Sequence, residues 1–205
     1  MKKGAPVRSC VGFIDGTFNR IARPRENQEV VYNGHYRGHG LKYQAIVTPD
    51  GITSSIIGPE TGNHHDMHMY RLADTERRLF DAFDFTSVGR PCYHLYGDSA
   101  YANSAVMARP FRITNASEDD TVFNTEMSRV RISVEQEFAH VGSFFAFLKY
   151  SQTQRIDQCS VGLYYIIGTF LKNVHICYNG GNKTSAKFDV SPPTPEQYIA
   201  GLLRQ

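Results

Sequence analysis

The stretch that most constrains this chain is a short apolar run within residues 9–17, which carries a single acid, Asp15, to a glycine turn. A run of this kind is typical of a strand that is buried on both faces of an α/β sheet. Open α/β sheets place their sites at the carboxyl ends of such strands. A second apolar run, residues 92–96, ends in the same way at Gly97 and Asp98. The two patterns predict a sheet edge at which two carboxylates meet.

A third carboxylate stands in the longest helical pattern of the sequence. Ser117 and Asp120 precede this segment with the spacing of a capping box. Its apolar residues recur at steps of three and four on one face, at Met127, Val130, Val134, Phe138, Val141, Phe145 and Leu148. The helix carries Glu135 and, two positions later, Glu137, which points about 200° away. Only one of the two can face a common site, and the periodicity does not choose between them.

The remaining patterns complete an α/β fold. Strand-like runs at residues 43–48 and 52–57 flank a Pro-Asp-Gly turn and predict a hairpin. The glycine-rich segment 18–41 predicts a loop or an exposed hairpin. A helix of about four turns follows from Asp66, and a further apolar helix covers residues 158–177. The predicted order is three strands, a helix, a strand and a helix.

Two histidines precede that first helix, and they invite comparison with a metal site. Adjacent histidines such as His64 and His65 seldom reach one ion without a distant partner. The acid that follows them, Asp66, has the position and side chain of a helix cap. We therefore predict that Asp66 caps the helix rather than binding metal, while the turn of residues 63–66 could still line the cleft.

Length and composition indicate one domain. The 205 residues are 41% hydrophobic, enough for one buried core and too few for two large ones. We predict a domain over residues 1–178 and a loose tail over 179–205, in which Pro195 opens a short helix. The four cysteines are widely spaced, without a C-x-x-C pair, and indicate reduced side chains rather than a zinc site. No apolar run approaches the roughly 20 residues that cross a bilayer, so we expect an intracellular protein without membrane contact.

Positive charge is concentrated in one part of the sequence. The formal net charge of +2 does not by itself indicate a nucleic-acid partner, but residues 20–42 hold five cations interleaved with aromatic rings and glycines. Rings can stack on unpaired bases, and cations can hold phosphates. The candidate contacts in this stretch are Arg23, Tyr36, Arg37, His39 and Lys42. A solvated basic loop is the alternative, and Lys42 could instead face the cleft from a strand.

Seven short motifs occur in order along the chain. They are I-D-G-T (14–17), R-P-x-x-N-Q (23–28), Y-x-G-x-x-R-x-H-x-x-K-x-Q (32–44), P-D-G (49–51), G-x-x-H-D (62–66), Y-G-D-x-A-Y (96–101) and N-x-x-x-S-x-x-R-x-x-V-E-x-x-F (124–138). Each motif is weak alone. Their order and spacing over roughly residues 9–150 resemble the DDE nuclease domain of PIF/Harbinger-type transposases.

This resemblance implies a ribonuclease H-like mixed sheet flanked by helices, and a nuclear protein that cuts and joins DNA. It implies that Asp15, Asp98 and Glu135 are the catalytic residues and the ligands of two Mg²⁺ or Mn²⁺ ions. It selects Glu135 over Glu137 because the last motif is centred on Glu135. Two such ions activate the attacking oxygen and stabilise the leaving oxygen of a phosphodiester, and carboxylates are the ligands that hold them.

Other roles remain open for the same side chains. Asp15 and Asp98 could each be a turn former, since Asp-Gly and Gly-Asp are common at strand ends. Glu135 can pair with Arg131, four residues earlier on the helix. Arg131 would then support a carboxylate, or it would contact DNA.

Two other function classes also fit the sequence. One is a domesticated, non-cleaving DNA- or protein-binding derivative, and the other is a metal-dependent hydrolase of small phosphate esters. PIF/Harbinger-type transposases usually carry a helix-turn-helix segment ahead of the nuclease domain, which we do not find before residue 9. We therefore expect either a fragment or a chain that depends on a second protein, as the family's Myb-like partner implies, and either case allows for a domain that is inactive alone. A homo-oligomer is a further expectation.

Overall fold

A mixed sheet forms the centre of the protein, seen in a computed structural model that describes residues 9–83 and 93–203. Its strands are β1 (Cys10–Arg20), β2 (Tyr32–Asn33), β3 (Gly38–Val47), β4 (Thr53–Thr61), β5 (His94–Tyr96) and β6 (Met107–Ala108). The helices are α1 (Gln28–Val31), α2 (Asp66–Leu72), α3 (Thr75–Phe83), α4 (Glu118–Phe144), α5 (Val161–Tyr178), α6 (Lys183–Phe188) and α7 (Pro195–Leu202). Short 3₁₀ turns lie at Ile113–Asn115, Ala146–Lys149 and Ser151–Thr153.

Strand β1 lies in the interior of the sheet. It pairs with β3 in antiparallel and with β5 in parallel orientation. Strand β3 also pairs with β4 and β2, and β5 pairs with β6. Successive β1 side chains face opposite sides, so Phe13 packs with Val134 of α4 while Ile14 packs with Tyr70 of α2 and Leu79 of α3. Helices therefore cover both faces, which confirms the prediction of a doubly buried first strand.

Strands β1, β3 and β4 are longer than the sequence pattern predicts. The hairpin around residues 49–51 is confirmed as the antiparallel pair of β3 and β4. Strand β1 continues to Arg20 because its polar second half still pairs with β3. The last pair of this register is Arg20 with Gly40. The predicted strand at 92–96 is seen as β5, and Cys92 lies outside the described residues.

The helix predicted from Asp66 differs from the structure in two ways. It is divided into α2 and α3, and the link contains Asp74 at a φ of 48°. The prediction that Asp66 is the cap is wrong: the N-cap position belongs to His65, and among the described residues its side chain makes no capping hydrogen bond. Asp66 is the first helical residue, and its carboxylate instead pairs with Lys42.

The long helix α4 begins as the sequence predicts. Ser117 Oγ accepts from the Asp120 backbone N–H, and the Asp120 carboxylate accepts from the Ser117 backbone N–H, which confirms the capping box. Its buried apolar side chains are Met127, Val130, Val134 and Val141. The helix ends at Phe144, so the last two residues of the predicted face lie beyond it.

The segment after residue 178 is not a loose tail. Capping boxes begin both α6 and α7, and the helix at Pro195 is confirmed. Phe188 at the end of α6 is 2% exposed and lies in the core cluster of Phe13. The prediction of a loose segment was wrong because a single buried ring anchors a short, polar stretch that shows little periodicity. The domain boundary at residue 178 stays a prediction.

Within the described residues, no helix is both long and apolar enough to cross a bilayer.

Candidate active site

The structure places the first two predicted acids at adjacent parallel strands, Asp15 on β1 and Asp98 just after β5. Phe13 of β1 is in register with Tyr96 of β5, and Asp15 and Asp98 each follow two residues later. Both acids line one cavity of about 440 Å³. The Asp98 carboxylate also accepts from the Ala100 backbone N–H at 2.9 Å, which fixes the turn after β5. The meeting of these two carboxylates follows directly from strand register.

Asp15 is largely enclosed, with a side chain that is 14% exposed. Its Oδ1 accepts from the Gly16 backbone N–H at 2.9 Å, and its Oδ2 accepts from Arg131 Nη1 at 2.7 Å. Burial raises the pKa of Asp15 to about 6, and the negative charges of Asp98 and Asp66 add to that rise. The Arg131 guanidinium lowers this pKa but does not outweigh burial.

A third acid, Asp66, lines the same cavity and was missed as a site residue by the sequence analysis. Lys42 Nζ donates to Asp66 Oδ1 at 2.7 Å. A Cβ at Gly16 would overlap the Asp66 carboxylate, so the glycine lets Asp66 come close to the strand that carries Asp15. The G-x-x-H-D motif held this signal, but a carboxylate just before a helical pattern is equally typical of a cap.

Glu135 reaches the site through an arginine. Arg131 Nη2 lies 3.1 Å from Glu135 Oε1, while Nη1 of the same side chain binds Asp15. The Glu135 side chain is 53% exposed, and the described lining of the 440 Å³ cavity does not include it. The ion pair that the helix spacing allowed is therefore present. The catalytic role of Glu135 stays a prediction.

Glu137 faces the protein core. Its carboxylate accepts from Lys172 Nζ at 3.0 Å, from Asn182 Nδ2 at 2.9 Å and from Thr184 Oγ1 at 2.7 Å. Burial lowers the pKa of Lys172, and the adjacent carboxylate opposes this effect. Glu137 thus ties α4 to α5 and α6 and points away from the acids of the cavity.

The predicted DNA contacts lie in three different settings. Tyr36 stacks on Phe18 with ring centroids 4.5 Å apart and lines the acid cavity, next to the exposed Arg37 at the β2–β3 turn. His39 packs edge-on against Tyr32, whose ring also borders the cavity.

Lys42 is buried and faces Asp66 rather than solvent. Arg23 donates to Gln28 and lines a separate hollow with Arg155. The structure therefore places Tyr36 and Lys42 in the lining of the acid cavity and Arg23 in a separate hollow, while Arg37 and His39 lie on the β2–β3 hairpin outside the described lining.

A larger basic hollow adjoins the acids on the other side. It has a volume of about 1220 Å³ and includes both Asp98 and Arg131 in its lining. Three further arginines line it, namely Arg109, Arg112 and Arg129. The sequence analysis missed these arginines because they are dispersed along the sequence. They come together only where α4 packs beside the loop after β6.

The charges of the site suit a divalent cation. Within the described part of the chain, four carboxylates (Asp15, Asp66, Asp98 and Glu135) share two cations, Lys42 and Arg131. Two close like charges repel each other by roughly 4 kcal/mol at an intermediate dielectric. Oxygen ligands with such an excess of negative charge fit Mg²⁺ or Mn²⁺.

Comparison with known proteins gives one match. The family model described as DDE superfamily endonuclease matches residues 14–177, a segment that includes Asp15, Asp98 and Glu135. No curated protein and no solved structure matches the chain. The matched segment covers well over half of the sequence and contains the acids that the structure brings together. The chain belongs to the DDE superfamily endonucleases.

Proposed function

We propose that this chain is the catalytic domain of a PIF/Harbinger-type transposase, with a ribonuclease H-like sheet, that cuts DNA and joins the freed 3′ hydroxyl to a target. The single observation that carries the proposal is the placement of Asp15, on β1, beside Asp98, which follows the parallel strand β5. DDE nucleases use divalent metal ions. The seven sequence motifs support the narrower family.

In this proposal Asp15, Asp98 and Glu135 hold two Mg²⁺ or Mn²⁺ ions. Bound ions would activate the water or 3′ hydroxyl that attacks and would stabilise the leaving oxygen. The protein's own part is to keep Asp15 ionised and oriented. Arg131 does both, because its guanidinium favours the charged form of Asp15 and binds that carboxylate and Glu135 at once.

The surfaces beside the acids give DNA a path across the site. The hollow lined by Arg109, Arg112 and Arg129 can hold backbone phosphates. On the opposite rim, Tyr36 offers an aromatic ring to an unpaired base at a DNA end. A nuclear location, a Myb-like partner and a homo-oligomer belong to the same proposal.

Metal titration and DNA cleavage test the proposal together. The wild-type domain should bind Mg²⁺ or Mn²⁺ in calorimetry and cut DNA only with the metal present. Asp98→Ala should lose both properties. Asp119→Ala is the matched control, since it removes an exposed acid in the first turn of α4. Cleavage that persists in Asp98→Ala would contradict the assignment.

One observation favours a second candidate, a non-cleaving DNA-binding derivative. Arg131 already pairs with both Asp15 and Glu135, so part of their negative charge is compensated without a metal ion. This candidate predicts that the wild-type domain binds DNA without cutting it. It also predicts that calorimetry detects no saturable binding of Mg²⁺. It also predicts that Asp98→Ala binds DNA as the wild type does.

A further inference from the structure

Three side chains of metal-binding type lie together where β4 leads into α2. Glu60 is near the end of β4, His64 lies in the connection, and His68 is in the first turn of α2. One ligand atom from each lies within 4.8 Å of those of the other two. The three residues are spaced four apart in the sequence, and the turn between β4 and α2 brings their side chains together.

The three side chains already contact each other. His64 Nδ1 lies 3.0 Å from Glu60 Oε2. The rings of His64 and His68 have centroids 4.2 Å apart. Glu60 and His64 are half-buried, whereas His68 is exposed, so an ion can enter from solvent on the His68 side.

The distances suit a tetrahedral ion. Zinc binds imidazole nitrogen and carboxylate oxygen at about 2.1 Å, which places two ligand atoms of a tetrahedron about 3.4 Å apart. The Glu60–His64 pair, at 3.0 Å, is already near this separation. Since the ligand atoms lie within 4.8 Å of one another, no pair has to close by more than about 1.4 Å. Rotation of the exposed His68 side chain can supply this movement.

We propose that Glu60, His64 and His68 bind a transition-metal ion of the Zn²⁺ type, at a site separate from the ions of the acid cavity. Two imidazoles and one carboxylate suit zinc and its first-row neighbours. Magnesium prefers sites built from oxygen ligands. Three protein ligands leave the fourth position to water. The site requires only these three side chains, so it does not depend on the proposed nuclease activity.

An ion at this position would stabilise the segment that holds Asp66. The backbone oxygen of His64 accepts from Lys42 Nζ at 2.9 Å, and the same ammonium donates to Asp66 Oδ1 at 2.7 Å. An ion that holds His64 in place therefore also holds one hydrogen-bond partner of Lys42, and Lys42 orients Asp66. The ion would act through this contact, as a structural support beside the acids.

Cobalt is a suitable probe because tetrahedral Co²⁺ absorbs visible light. Metal-free protein titrated with Co²⁺ should develop this absorption and saturate at one ion per chain. Zinc should then displace the cobalt. The variants His68→Ala and Glu60→Gln should each bind Co²⁺ at least about tenfold more weakly, and zinc should raise the Tm of the wild type but not of His68→Ala.

Two controls separate this site from its surroundings. His65→Ala removes an exposed neighbouring histidine outside the cluster and should bind Co²⁺ as the wild type does. The double variant Asp15→Asn/Asp98→Asn disables the acid cavity and should also keep the cobalt absorption. A wild type without saturable absorption, or a His68→Ala variant that binds as tightly as the wild type, would overturn the proposal.

Discussion

Asp15 and Arg131 are 116 residues apart in the sequence, and Arg131 Nη1 donates to Asp15 Oδ2 over 2.7 Å. This contact joins the central strand β1 to helix α4 at the edge of the acid cavity. The pKa of Asp15 nevertheless rises to about 6, because burial outweighs the attraction of the guanidinium. The metal-free fold therefore makes Asp15 harder to ionise than a free aspartate, even with the guanidinium beside it.

The first prediction concerns the pH dependence of stability. The folded pKa of Asp15, about 6, exceeds the ordinary value of 3.8, so between these values the folded state keeps a proton that the unfolded state has lost. The contribution of Asp15 to the free energy of unfolding is greatest below about pH 4, and it is lost as the pH rises through 6. Asp15→Asn should therefore gain up to about 3 kcal/mol over the wild type between pH 4 and pH 7.

Urea unfolding of metal-free protein at the two pH values measures this gain. Asp74→Asn is the control, because the Asp74 side chain is 60% exposed and its replacement should change the free energy of unfolding by under about 0.5 kcal/mol at either pH. An Asp15→Asn variant that is less stable than the wild type at pH 7 would show that the ion pair outweighs burial.

The second prediction separates the two glutamates of α4. Glu137→Gln leaves the buried Lys172 ammonium without its counter-charge and should reduce the free energy of unfolding by about 3–5 kcal/mol. Glu135→Gln, at an exposed position, should change it by under about 0.5 kcal/mol while abolishing metal-dependent cleavage. Chemical denaturation and a DNA-nicking assay on both variants measure these effects. A stability loss in Glu135→Gln equal to that in Glu137→Gln would contradict the division of roles.

The third prediction concerns Gly16. In Gly16→Ala the new methyl group would overlap the Asp66 carboxylate, so Asp66 and its Lys42 partner must move. We expect a loss of about 1–3 kcal/mol in stability and about a hundredfold loss of cleavage, seen by thermal unfolding and by single-turnover kinetics.

Gly34 provides the matched control, since a Cβ there would meet no atom of the described residues within 4 Å. Gly34→Ala lies at the β2–β3 turn and should keep both stability and cleavage near those of the wild type. If Gly16→Ala cleaved DNA as well as the wild type and Gly34→Ala do, the position of Asp66 would have no bearing on activity.

The fourth prediction tests whether the C-terminal helices belong to the domain. Phe188 stacks near Phe13, with ring centroids 6.2 Å apart, and Phe188→Ala should cost about 3–5 kcal/mol. Leu203→Ala removes a side chain that is 83% exposed and should cost under about 0.5 kcal/mol. Urea unfolding compares them, and a small loss in Phe188→Ala would mean that residues 1–178 form the folded unit alone.

The sequence predicts those parts of the fold that local patterns determine. The hairpin of β3 and β4 follows from its Pro-Asp-Gly turn, and the start of α4 follows from the pairing of Ser117 with Asp120. The small strands β2 and β6 escape prediction because each has two residues, too few to show a period. Asp74 divides the predicted four-turn helix through a left-handed backbone conformation, which the apolar spacing does not reveal.

The candidate site shows the same division. Asp15 and Asp98 are predictable because each closely follows an apolar run of the sequence, and strand register then brings them together. The roles of Asp66 and Lys42 are not predictable. These two residues are 24 apart in the sequence, and their pairing depends on how α2 packs against β3. Nor does local pattern show that Glu137 is buried, because its partner Lys172 comes from a separate helix.

The contact between Phe188 and Phe13 also has a consequence for the order of events during synthesis. Strand β1 leaves the ribosome well before the ring that packs behind it, since Phe188 is translated 175 residues after Phe13. Until then the apolar side of β1 lacks one of its covering rings, and Asp15 sits on an incompletely supported strand. A nascent chain that ends before Phe188 therefore lacks one apolar support of the strand that carries Asp15.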